Sequence, residues 1–134
     1  MKTQNVIGDG ARLLLGGIRV VNGSIGLLYP QLLLRQLGSD PVQNAAGQYA
    51  FRLFGIRTIL IGLDLLRKEG KARNDAIRVA PLVHASDTVA ALLAERAGVL
   101  PDRAARNIIA ISATNTVLSL LMQLSDKSAG SNEQ

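Results

Sequence analysis

Four long apolar stretches, parted by short polar breaks, run through the 134-residue chain. No strict alternation of apolar and polar positions persists over any window, so the stretches read as helices and not strands. The breaks carry turn chemistry: Gly38-Ser39-Asp40-Pro41, the basic run Arg67 to Asp75, and Gly98 to Asp102. The pattern predicts helices over about 11–34, 42–67, 76–97 and 102–125, a polar tail at 1–10 and a disordered tail at 126–134. Pro30 is expected to kink or end the first helix near Tyr29. Asp40 is expected to cap the second helix with Pro41 as its first residue, Asn74 or Asp75 to cap the third, and Gly98 to stop it. Short connections join antiparallel neighbours, so the fold class is all-α, an antiparallel bundle of four helices.

The same pattern selects the solvent. From Asn107 to Ser125 the chain has nineteen residues without a charge, close to the ~20 that cross a bilayer. In the second stretch, Ile59, Leu60, Ile61, Leu63, Leu65 and Leu66 cover nearly the whole helix circumference, which leaves no wide polar face for water. A chain this short cannot bury such a helix at the centre of a large core. The expectation is therefore four transmembrane helices. Composition alone does not decide: charged residues are 19%, below the usual ~25%, while apolar content is within the ordinary range. Mean hydropathy of +0.22 lies between the two classes, so a soluble basic helical bundle stays as an alternative.

Small and charged residues interrupt the apolar stretches at helical spacing. Gly16, Arg19, Gly23 and Gly26 stand at i, i+3, i+7 and i+10, and Gly55, Thr58 and Gly62 at i, i+3 and i+7. Such faces pack closely on other helices, not on lipid. Arg57 and Asp64 are two turns apart on one face. His84 and Asp87 stand at i and i+3 on the third helix, and Asn115 belongs to a polar stripe with Ser112 and Ser119 on the fourth. A mid-bilayer charge is disfavoured by roughly 2.5–3.5 kcal/mol unless it is paired or faces the bundle interior. Arg19, Arg57, Asp64, His84, Asp87 and Asn115 are therefore expected to form an inward polar network. Two roles are open to it: an acid–base or ligand site with Arg57 as counter-ion to His84 and Asp87, or a satisfied network that fixes helix register.

Several chemistries drop out. There is no Cys and one His, which excludes disulfides, thiolate catalysis and multi-histidine metal centres. Neither a metal nor another cofactor is expected. No serine stands with a base in a motif, so no catalytic residue is assigned. The net charge of +5 comes with no recognition motif and no aromatic platform, and nucleic acid is not expected as a partner. Anionic lipid headgroups are. With four spans, Lys2, Arg12, Arg67, Lys68, Lys71, Arg73, Arg78 and Lys127 share one side, and Arg35, Arg52, Arg96, Arg103 and Arg106 the other. The excess predicts both termini in the cytoplasm.

Three segments carry a likeness: Gly23 to Gly38 (GSIGLLYPQLLLRQLG), Phe51 to Gly62 (FRLFGIRTILIG), and Pro81 to Leu92 with its His84-Ala-Ser-Asp87 core. They resemble small four-helix bacterial membrane proteins of the DoxX-like superfamily and its relatives, over about residues 12–97. The resemblance implies a four-span bundle in the bacterial inner membrane with inward Arg and Asp, and named relatives are linked to quinone or sulfur redox work as membrane subunits. Of this chain's residues, Arg57 and Asp87 would carry over. The expected function is a non-enzymatic accessory or stabilising subunit of a larger membrane complex, such as a transporter or respiratory assembly, with other integral membrane subunits as partners. The alternative is a redox subunit or small-molecule binder that uses the Arg, His and Asp cluster.

Overall fold

The computed structural model describes residues 2–130, with side chains over 6–127. It is all-helical, with no strand among the described residues. The order is α1 (Lys2–Leu28), α2 (Pro30–Gln36), α3 (Ala45–Leu66), α4 (Lys71–Arg96) and α5 (Asp102–Gly130). The four long helices run antiparallel in sequence. α1 packs most extensively on α3 and next on α5, α5 packs on α4, and the α3–α4 seam is the loosest side.

Three helical segments are long and apolar enough to cross a membrane: Val6–Leu28, Lys71–Arg96 and Asp102–Lys127. α3 is not among them. Arg52, Arg57 and Asp64 interrupt it, so its apolar circumference does not by itself make a span. Three of the four expected spans therefore qualify by length and composition; the expectation for the fourth weighed the run from Ile59 to Leu66 above the charges around it. The outward surface is nonetheless apolar at mid-height, with Val21, Leu60, Leu82, Val89 and Val117 all exposed. The polar stripe of α5 turns the other way, with Ser112 and Ser119 buried.

Element ends differ from the expected ones for local reasons. The first apolar stretch is two helices, because Pro30 has no N–H to give and displaces Tyr29 from helical geometry (φ −129°, ψ 53°). α1 begins at Lys2, so positions expected as a polar tail are helical. α5 continues to Gly130, through the first part of the tail expected at 126–134, and 131–134 lie outside the described residues. Asp40 does not cap α3. Its Oδ1 accepts from the Val42 N–H at 2.9 Å in a turn, and the cap is Asn44, whose Oδ1 accepts from the Gly47 N–H at 2.8 Å. α4 starts at Lys71 behind Gly70, before Asn74 and Asp75. At its other end Gly98 (φ 66°) lets the Gly98 and Val99 N–H groups reach the Glu95 and Ala94 carbonyls at 2.9 and 3.2 Å, which satisfies the last turn.

The α1–α3 contact is backbone against backbone. A Cβ added at Gly55 would meet the Gly23 carbonyl oxygen at 2.5 Å and the Leu27 nitrogen at 2.6 Å. One at Gly62 would meet the Gly16 oxygen at 2.9 Å, one at Gly26 the Phe51 oxygen at 3.0 Å. Gly16 faces the Leu66 side chain and the Gly62 oxygen, and Gly23 faces Gly55 and Ile59. The five glycines thus lie along one antiparallel seam, at a separation that no larger residue permits.

Below this seam, toward the chain termini, Ala11, Leu15, Leu65, Ile77, Ala80 and Met122 form a dry core. Arg12 closes it. Counted above among headgroup-facing cations, it is only 8% exposed. Its Nη1 donates to the Leu65 and Arg67 carbonyls at 2.6 and 3.0 Å, and its Nε to Asp9 at 3.2 Å. A guanidinium there satisfies the open carbonyls of the α3 C-terminus and sits at the negative end of its dipole.

Gly55→Ala is expected to cost about 1–3 kcal/mol, because the clash is with backbone that cannot rotate away. Gly17, where an added Cβ meets nothing within 4 Å, is the control. Gly17→Ala should leave the melting temperature in detergent unchanged or slightly raised, and equal effects at both positions would contradict the packing described.

Candidate functional site

Above the dry core the helices part. An open cleft of about 720 Å³ lies between α3 and α4, backed by α1 and α5. Its position follows from the glycines. They draw α3 onto α1, and α4 is held by α5, so the fourth side of the bundle is left ajar.

The floor of the cleft is polar. α1 contributes Arg19, which follows Gly16 by three positions and so shares its inward face. α4 contributes His84, one turn beyond the core residue Ala80. Both are buried, at 6% and 3% exposure. The Arg19 Nε and Nη2 lie 3.3 and 3.1 Å from the His84 Nε2. Arginine has no acceptor, so Nε2 must accept and the imidazole proton sits on Nδ1. That nitrogen faces the Asp87 Oδ2 at 3.8 Å, beyond a direct hydrogen bond but on its polar side. The result is an ordered row of guanidinium, neutral imidazole and carboxylate, reaching from the buried α1 face to the half-exposed rim of α4. The Thr88 hydroxyl donates to the His84 carbonyl at 2.9 Å on the same turn of α4.

The remaining residues of the expected network part company. Arg57 lines the cleft from α3 but is exposed and makes no hydrogen bond or ion pair among the described residues. The α1-facing stripe passes through Thr58, so Arg57, one residue earlier, is rotated by about 100° toward the α3–α4 seam. Asp64 does not join the network. It sits two turns nearer the end of α3 and pairs with Arg67 at 2.9 Å, in an exposed i, i+3 contact. Asn115 lines the cleft from α5, half-buried, beside Ser112. Asn22 of α1 also lines it and was passed over in the sequence, where its only signal was a position three residues after Arg19.

The walls toward the α1–α3 and α4–α5 loops are apolar: Leu53 and Phe54 from α3, Ala90 and Ala94 from α4, Ile108 from α5. The alanines of α4 leave the width. Chemically the cleft joins a small charged floor, with two guanidinium groups and one carboxylate, to an apolar throat. Among the described residues no group of His, Asp and Glu is placed to hold a metal ion. The imidazole is already engaged by Arg19, and no serine or threonine hydroxyl reaches its ring.

His84→Ala is expected to strand the Arg19 guanidinium, costing about 1–3 kcal/mol of stability. His84→Gln, whose amide oxygen can accept in place of Nε2, should recover most of it. Melting curves of the two variants in one detergent decide the matter: an alanine variant as stable as the parent would mean that the bond holds nothing.

Comparison with protein-family models, with curated proteins and with solved structures finds no match for the chain. None of these comparisons identifies the DoxX-like relationship expected from the three segments quoted above.

Proposed function

We propose that the protein is a multi-pass protein of the bacterial inner membrane that binds a small, largely apolar organic molecule in the α3–α4 cleft and does no covalent chemistry on it. The observation that carries this reading is the cleft itself. Its volume of about 720 Å³ falls in the 300–1,000 Å³ range of small-molecule sites, and such sites pair apolar walls with a few convergent polar groups. Nothing in it supplies a nucleophile with a free base.

In this reading all four long helices cross the bilayer. α3 lies alongside α1 from Gly16 against Gly62 to Gly26 against Phe51, so it shares the depth of a helix that qualifies as a span. Its arginines then face the cleft or lie near the helix start, and not the acyl chains alone. The Lys and Arg excess on the side of the chain termini supports a cytoplasmic N-terminus and C-terminus, even with Arg12 withdrawn from the tally.

A second reading, an accessory subunit of a larger membrane assembly, has one observation in its favour. Gly10 and Gly17 stand on the outer side of α1, two turns apart, with open space where a Cβ would be. A helix of another membrane protein fits such a surface closely.

The protein should stay with membranes through a carbonate wash, and tags at the two ends should be reached by impermeant reagents only from the cytoplasmic side. Periplasmic labelling of either end would overturn the topology. Ala94→Phe fills the throat without touching the dry core. Native mass spectrometry of the purified protein should show small bound molecules lost by about tenfold in this variant at an unchanged melting temperature. Equal retention would sink the binding reading. Partner subunits captured by cross-linking at Gly17→Cys, with an empty cleft in both proteins, would favour the second reading.

A further inference from the structure

We infer that the ligand of the cleft is a compact organic monoanion, a carboxylate on a short apolar body, with Arg57 as the residue that receives its charge. The inference rests on the binding reading above and goes on to the chemistry of what is bound.

The charges of the cleft do not balance. With the imidazole neutral, Arg19 and Arg57 are two cations against the single carboxylate of Asp87. Arg19 is committed, because its Nε and Nη2 hold His84 and the Asp87 carboxylate lies at the far side of that ring. Arg57 has no such commitment among the described residues. It is also the cation placed where an unpaired charge is hardest to keep. It lies in the middle of α3, at the level of apolar outer residues such as Leu60 and Val21. Arg12 has two carbonyls, Arg67 has Asp64 and Arg73 has Asp126, whereas Arg52, also on α3 and without an acceptor among the described residues, does not line the cleft.

A planar guanidinium on a largely apolar cleft wall suits one planar oxyanion, which it can grip through two parallel N–H donors. Asn115, half-buried on the facing helix, adds an amide that can donate to the same group. The surplus of one positive charge sets the ligand charge at one. A dianion would leave a net negative site, and a cation would face two like charges.

The apolar throat sets the rest. From Arg57 to Ala50, the last α3 residue on the wall, is two helical turns, about 10 Å. Leu53 and Phe54 lie between them on α3, with Ala94 and Ile108 opposite. The body is therefore short and apolar, the size of one or two rings or a medium-length chain, and its charged end is the deeper one. A two-chain phospholipid, with its head at the membrane surface, would enter in the opposite sense.

The test uses the full chain in phosphatidylcholine nanodiscs and three probes: 2-naphthoate, the isosteric neutral 2-naphthamide, and inorganic phosphate. Parent protein should bind naphthoate at least about tenfold more tightly than the amide, as a charge-assisted pair requires. Arg57→Gln should remove that preference, so that acid and amide bind about equally, and Arg57→Lys should keep part of it. Phosphate should not compete. Equal binding of acid and amide by the parent would overturn the anion inference and leave the binding reading standing. No binding of either would overturn both. Displacement of naphthoate by phosphate, or by phosphatidylglycerol added to the discs, would overturn the assignment of a short apolar body. If Arg57→Gln fails to assemble, the acid-to-amide ratio of the parent and of Arg57→Lys decides by the same criteria.

Discussion

The close approach of α1 and α3 is the constraint from which the rest follows. Where the Gly55 Cβ would be, there is the carbonyl of Gly23, and the same exclusion repeats at Gly62 and Gly26. In lipid, helices gain nothing from hiding apolar surface from one another, so association depends on contact quality. Backbone contact through glycine gives many short dispersion contacts and freezes few side chains. It also fixes register: an antiparallel pair with small residues at i, i+7 and i+10 on one side and i, i+7 on the other has one alignment in which all of them meet. That alignment sets Arg12 under the open carbonyls of the α3 C-terminus.

The bundle is consequently lopsided. Two helices in backbone contact take less room than two separated by leucines, and α4 is held far more by α5 than by α3. At the end near the chain termini Leu15, Leu65, Ile77 and Met122 are large enough to fill the space. At the other end α4 presents Ala90, Ala91 and Ala94, and the space stays open. A cleft in this fold needs no special loop or insertion. It follows from placing glycine on one seam and alanine along another.

Much of this was legible in the sequence, and the unread parts share a cause. Helix class followed from apolar periodicity, although the first apolar stretch is two helices and not one, and the glycines could be seen to share faces because 3.6-residue spacing puts i, i+3 and i+7 together. Pro30 and Gly98 marked breaks because their backbone effects are local. What spacing does not carry is which neighbour a face meets. Arg57 and Asp64 share a face, yet one opens on the cleft and the other pairs with Arg67, since two turns of helix carry them to different depths. Arg12 looked like a headgroup contact because its acceptors, the Leu65 and Arg67 carbonyls, are more than fifty positions away. Asn44 was the better cap than Asp40, and a side-chain acceptor three residues before Gly47 was the signal for it.

The same geometry explains why two arginines of like chemistry have different standing. Arg19 is tied into a row in which each member constrains the next: a guanidinium that can only donate fixes the tautomer of His84, and that tautomer turns its remaining proton toward Asp87. Such a row loses by any change at one member, so it is suited to holding α1 and α4 in place. Arg57 is on a helix whose position is set by glycines on another face, and its side chain is exposed and makes no hydrogen bond or ion pair among the described residues. A long, charged side chain kept at that depth without a structural task is costly to the fold by itself. In the proposed reading the charge is completed from outside the chain, and the open side of the bundle is where such a partner would have access.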